Sequence, residues 1–135
     1  MDTSITATIH DCHLASEEDR LDFPQILAAL HQAGVEGYMV DYRRLIKTYY
    51  LPDGESLELP SHDTDAKVST VFDVTTVEQA VREAQTKAPG YTYKGFCVKV
   101  MQAGCAGYIV SILGRRVVYF GRTAETHVEH FSSGK

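Results

Sequence analysis

The chain has 135 residues, of which 44% are hydrophobic, enough for one ordinary domain around a shared core. Its formal net charge of −5 argues against nucleic acid as the main partner, because phosphate binding needs a basic footprint, although Arg115, Arg116 and Arg122 form a local basic patch. No apolar run reaches the length of a membrane span, and the acidic start Met1-Asp2-Thr3-Ser4 lacks the parts of a signal peptide, so no membrane partner and a cytoplasmic location are expected.

The first predicted helix covers residues 4–15, followed by a loop at Ser16-Glu17-Glu18-Asp19. A second begins near Pro24, a favourable first-turn residue, and carries Ile26, Leu27 and Leu30 as its apolar stripe. It stops at Gly34, placed for a left-handed helix end. Alternating apolar residues then predict strands over 38–42, 46–51 and 55–59, with Pro52-Asp53-Gly54 as a turn. Residues 60–73 read as a polar, exposed linker, and Val71, Phe72 and Val74 as the anchors at its end. A third helix opens with a capping box between Thr75 and Glu78 and runs to about residue 85. After the loop Lys87-Ala88-Pro89-Gly90, a fourth carries Phe96, Cys97 and Val100 and stops at Gly104. Strands follow over 108–113, 116–120 and 125–130, with Gly114 assigned the first central position of a type II′ hairpin.

The two halves echo each other. Gln32-Ala33-Gly34-Val35-Glu36-Gly37-Tyr38-Met39-Val40 returns, 70 residues on, as Gln102-Ala103-Gly104-Cys105-Ala106-Gly107-Tyr108-Ile109-Val110. Tyr49 and Tyr119, and Glu55 and Glu125, keep the same offset. The expected fold is therefore α+β: a tandem duplication of an α-α-β-β-β unit, with antiparallel meanders packed against helices around one core. The chain reads as a single domain over 1–135, with repeats at about 4–60 and 74–131. Residues 1–70 hold thirteen Asp/Glu against five Lys/Arg, and residues 71–135 five against eight, so the halves carry opposite signs. Strand positions identical in both halves, Tyr38/Tyr108, Val40/Val110 and Tyr49/Tyr119, share one sheet face, which is expected to meet the helices. Cys12, Cys97 and Cys105 are odd in number and unpaired in spacing, and read as free thiols in a reducing compartment.

The segment from Arg44 through Lys47-Thr48-Tyr49-Tyr50 to Pro52-Asp53-Gly54-Glu55-Ser56 resembles the YdfO-like domains of unknown function (domain of unknown function 1398), often labelled phage envelope protein-like. Arg115-Arg116-Val117-Val118-Tyr119-Phe120-Gly121-Arg122, His127-Val128-Glu129 and the helix-ending Ala-Gly fit the same pattern, so the likeness spans about residues 5–131. The resemblance implies a small α+β fold of bacterial and prophage origin. It implies no activity, cofactor or catalytic residue.

Three clusters could carry chemistry. His127 and Glu129 alternate on a strand and share a face, with Tyr119 expected directly across from His127. They could transfer protons or help to hold a metal, but a metal needs three or four ligands and the segment offers two. His10 and His13 are helical neighbours in His10-Asp11-Cys12-His13. Lys47 sits beside Tyr49, where a lysine stem commonly lies over aromatic rings. No metal centre and no cofactor are expected. The residues nearest to a metal set are His10, His13, His127 and Glu129; those nearest to a catalytic set are His127, Glu129 and Tyr119. The preferred reading is a non-enzymatic binding or interaction module. Its ligand, a protein or a small molecule, would sit in a groove between the repeats lined by Tyr38, Lys47, Tyr49, Tyr108, Tyr119 and His127; a homodimer is left open. The alternative is a small metal-dependent or acid–base enzyme using His127 and Glu129. A protein–protein adaptor would instead show an exposed apolar patch on one sheet face.

Overall fold

The computed structural model describes residues 1–131. Each helix starts at a side chain that accepts from an N–H left without an intrahelical partner. Asp2 opens α1 (Thr3–Glu17), and Asp22 opens α2 (Phe23–Gln32) through a reciprocal box with Gln25. Thr92 opens α4 (Tyr93–Gln102). At α3 (Val74–Thr86) the expected box between Thr75 and Glu78 does not form. Asp73, two residues earlier, accepts from both the Thr76 N–H and its hydroxyl. An aspartate outcompetes a threonine for the cap, and Glu78 is left a full turn inside the helix.

The strands are β1 (Gly37–Asp41), β2 (Ile46–Tyr50), β3 (Ser56–Pro60), β4 (Cys105–Ser111), β5 (Arg116–Gly121) and β6 (Thr126–His130). They form one antiparallel sheet in the order β3-β2-β1-β4-β5-β6. The two meanders thus share an edge, β1 against β4. At that seam Tyr38 faces Val110 and Val40 faces Tyr108, with Met39 opposite Ile109. The Tyr42 N–H donates to Ala106 and the Ile112 N–H to Glu36. Moving the first-half residue of a crossing forward by 70 and the second-half residue back by 70 turns it into the other crossing. Gly37 and Gly107 belong to the same correspondence: a Cβ would lie 2.4 Å from the Val110 carbonyl oxygen at one and 2.3 Å from that of Val40 at the other.

The β-hairpin loops differ from expectation. Asp41 pairs with Ile46 and Ser111 with Arg116, so each loop has four residues rather than the three and two expected. The left-handed residue is the last of the four, Leu45 at φ 56° and Arg115 at φ 55°, and Gly114 is not in that region.

The sheet face holding Tyr38, Val40, Tyr49, Tyr108, Val110 and Tyr119 is buried under Ile9 of α1, Leu30 of α2, Val77 of α3 and Val100 of α4, as expected. Of the expected anchors only Phe72 rests on the core, joined by Ala66 and Val68, while Val71 and Val74 are 74% and 40% exposed. The Ser69 N–H donates to Met101 and the Asp73 N–H to Ala103, which presses the Val71 carbonyl against Gly104. Cys12, Cys97 and Cys105 are buried and unpaired. Burial pushes the Cys97 and Cys105 thiols up to about 11, so they are protonated core residues at neutral pH.

Candidate functional site

Lys47 is the least expected member of the core. It is 2% exposed, and its Nζ lies 3.0 Å from Glu17 Oε1 and 4.4 Å above the Tyr93 ring. The other Glu17 oxygen bonds His62 Nδ1. The cluster draws on the end of α1, β2, the linker and the first turn of α4. The expected contact of the lysine with an aromatic ring is present, but the ring is Tyr93 of the second half. The sequence alone places Glu17 in a loop and His62 in an exposed linker, and points to neither. One more turn of α1 and an anchored linker bring them in.

Beside it runs a file of rings across the sheet. His13 meets Tyr49 edge-on; Tyr49 packs on Tyr38, Tyr38 on Tyr108, Tyr108 on Tyr119, and Tyr119 stacks on His127. Of the residues expected to line a groove, Tyr38, Lys47, Tyr49, Tyr108 and Tyr119 are buried beneath the helices, and only His127 is partly open. Burial drives the Tyr38, Tyr49, Tyr108 and Tyr119 phenols above their usual 10, so they are neutral donors. Tyr108 shares a 2.8 Å hydrogen bond with Tyr93. Two concavities of the surface lie elsewhere: one along α3, lined by Glu78 among others, and one between the end of α3 and the start of α4.

His10 and His13 part company. His10 is exposed, whereas His13 is buried, with Nε2 2.9 Å from the Pro60 carbonyl oxygen and Nδ1 3.3 Å from the Tyr49 hydroxyl. Burial, with the Lys47 charge adding to it, holds the His13 imidazole below 6.5. Burial alone would raise the Glu17 carboxyl, but the Lys47 charge and the Lys47 and His62 hydrogen bonds outweigh it, and the group lies below 4.5. For both groups the unfolded chain takes up protons first as the solution is acidified. Stability should therefore fall below about pH 6.5 through His13 and again below about pH 4.5 through Glu17. Urea unfolding at a series of pH values checks this. His13→Gln should remove the first decline; a profile flat down to about pH 5 would contradict the assignment.

His127 and Glu129 lie on one face of β6, and Tyr119 is directly across from His127, as expected. His127 Nε2 is 2.7 Å from Glu129 Oε2, with both side chains partly buried. A third group, missed from sequence, joins them. Glu78 of α3 brings a carboxylate oxygen to the pair, and the ligand atoms of all three lie within 4.8 Å of one another.

A family model described as a protein of unknown function, DUF1398, matches residues 12–129. The chain belongs to the DUF1398 family. Among curated proteins, none matches it.

The remaining feature of this DUF1398 chain is the outer sheet face. No described helix covers it. Its central row runs from Glu58 through Thr48, Met39, Ile109 and Val118 to Val128, each directly opposite the next. The last four are apolar, and Ile109 and Val128 are 43% and 41% exposed. No helix among the described residues is long and apolar enough to cross a membrane.

Proposed function

We propose that this DUF1398 protein is a non-enzymatic interaction module of the bacterial cytoplasm, built by tandem duplication, that associates with a second copy of itself. The observation carrying this reading is the apolar row Met39–Ile109–Val118–Val128 on the outer face, with Ile109 and Val128 exposed and Met39 and Val118 half-buried. Contiguous exposed apolar surface is a signature of association sites, and two sheets pack face to face at about 10 Å with side chains interdigitating. An apolar row complements another apolar row, and a second copy carries one. The surface still spans the seam between the halves, but on the side away from the helices rather than in a groove among the tyrosines. The YdfO-like and phage labels add no chemistry to this reading.

Three buried thiols in reduced form agree with a reducing compartment. Duplication is supported by the seam register and by paired backbone features such as the left-handed Leu45 and Arg115. Sedimentation equilibrium tests the function. The wild type should be dimeric at micromolar concentration, and Ile109→Lys, at an exposed position, should be a folded monomer. A wild type that stays monomeric at about 100 μM, or a mutant that dimerises as well, would remove the proposal; specific complexes in this class reach micromolar affinity or better. The enzymatic alternative would use His127 and Glu129, with Glu78 beside them.

A further inference from the structure

We propose that Glu78, His127 and Glu129 bind one divalent transition-metal ion, with Zn²⁺ the ion this ligand set suits best. From sequence, His127 and Glu129 fell short because a strand offers two ligands on one face. The fold supplies the third from α3. The placement is held from several directions. The Asp73 cap fixes the start of α3 one turn before Glu78. Pairing with β5 sets His127 against Tyr119 and Glu129 against Val117. The Tyr119 ring, stacked on His127 at 6.3 Å and 26°, fixes the plane of the imidazole.

The distances suit an ion. Zinc sits about 2.0–2.2 Å from nitrogen and oxygen ligands, which puts neighbouring ligand atoms about 3.3–3.5 Å apart. The three ligand atoms lie within 4.8 Å of one another, and His127 Nε2 and Glu129 Oε2 are 2.7 Å apart, so changes of side-chain torsion suffice. The charge also asks for one. As metal ligands, two carboxylates and an imidazole that has given up its proton would carry −2. Among the described residues, Glu78 pairs with Arg82, which is 67% exposed and stays 3.9 Å away. An exposed pair of that kind neutralises little. A divalent ion balances the set.

The imidazole selects for zinc, cobalt, nickel or copper over magnesium and calcium, which prefer all-oxygen shells. Three protein ligands leave a fourth position for water, an open site rather than a closed structural one. In the first half, the positions 70 residues earlier are Thr8, Leu57 and Leu59, which cannot ligate. The stoichiometry is therefore one ion per chain, and the site belongs to the second half alone.

The test uses the full chain without an affinity tag. Titration with Co²⁺, followed by its visible absorption, and calorimetry with Zn²⁺ should both saturate at one equivalent. Loss of a supporting hydrogen bond to a metal ligand typically weakens binding 10–100-fold, so His127→Ala should weaken it at least about 100-fold. Glu78→Gln and Glu129→Gln, which preserve shape, should each weaken it at least about tenfold with the metal-free melting temperature unchanged. They keep the test decisive if His127→Ala fails to fold. His10→Ala, at the exposed helical histidine, should bind as the wild type does. Wild-type protein that takes up no stoichiometric ion overturns the site. So does binding that survives Glu78→Gln and Glu129→Gln unchanged, or that is lost in His10→Ala.

Discussion

Glu17→Leu is expected to lower the stability of the fold by about 3–5 kcal/mol, among the largest effects of any single substitution here. The substitution leaves the Lys47 ammonium in the core with the face of Tyr93 and no counter-ion. Burial already holds the Lys47 amine below its usual 10.5, and Glu17 is what opposes that shift. Without the carboxylate the lysine must shed its proton or drag water inward, and either costs free energy at neutral pH. The double variant Glu17→Leu/Lys47→Met should recover most of the loss, since well-packed apolar side chains commonly replace a buried ion pair at no net cost. Urea denaturation of the wild type, both singles and the double closes the cycle. A single Glu17→Leu that loses under about 1 kcal/mol would mean that Lys47 is not held charged in the core.

The second large effect separates two glycines that look alike in sequence. Gly34 and Gly104 end corresponding helices with φ of 94° and 91°. An added Cβ at Gly34 meets nothing within 4 Å; at Gly104 it would lie 2.0 Å from the Val71 carbonyl oxygen and 2.8 Å from the Phe72 Cα. Gly34→Ala should therefore cost the left-handed penalty alone, about 1–2 kcal/mol. Gly104→Ala adds a clash with backbone that the Ser69 and Asp73 hydrogen bonds hold in place, for a total of about 3–5 kcal/mol. Thermal melts of the two variants decide it. Equal losses would mean that the linker yields freely over Gly104.

The alternation at Tyr38, Val40 and Tyr49 made the strands and their buried face legible in sequence, because the period-two pattern and the burial agree. The repeated Gln-Ala-Gly located both helix ends for the same reason: a left-handed residue leaves a strong local mark. What escaped was non-local. Glu17, His62, Tyr93 and Glu78 carry no periodic signal of their own. Their roles depend on where α1 stops, how the linker folds back and how α3 lies over β6. The candidate site was half visible, since a strand shows which residues share a face but not which helix completes the set.

The seam between β1 and β4 has one more implication, for assembly. Its crossings exchange under a shift of 70 residues, so each meander presents an edge the other can read. Two chains could trade halves and rebuild every seam contact between molecules. What favours the closed monomer is tethering. The residues between Pro60 and Val74 hold the second edge near the first at an effective concentration on the order of millimolar. Shortening that tether until it can no longer span the halves would turn the intramolecular seam into an intermolecular one. The resulting dimer would keep both outer faces bare, which distinguishes it from association through Ile109.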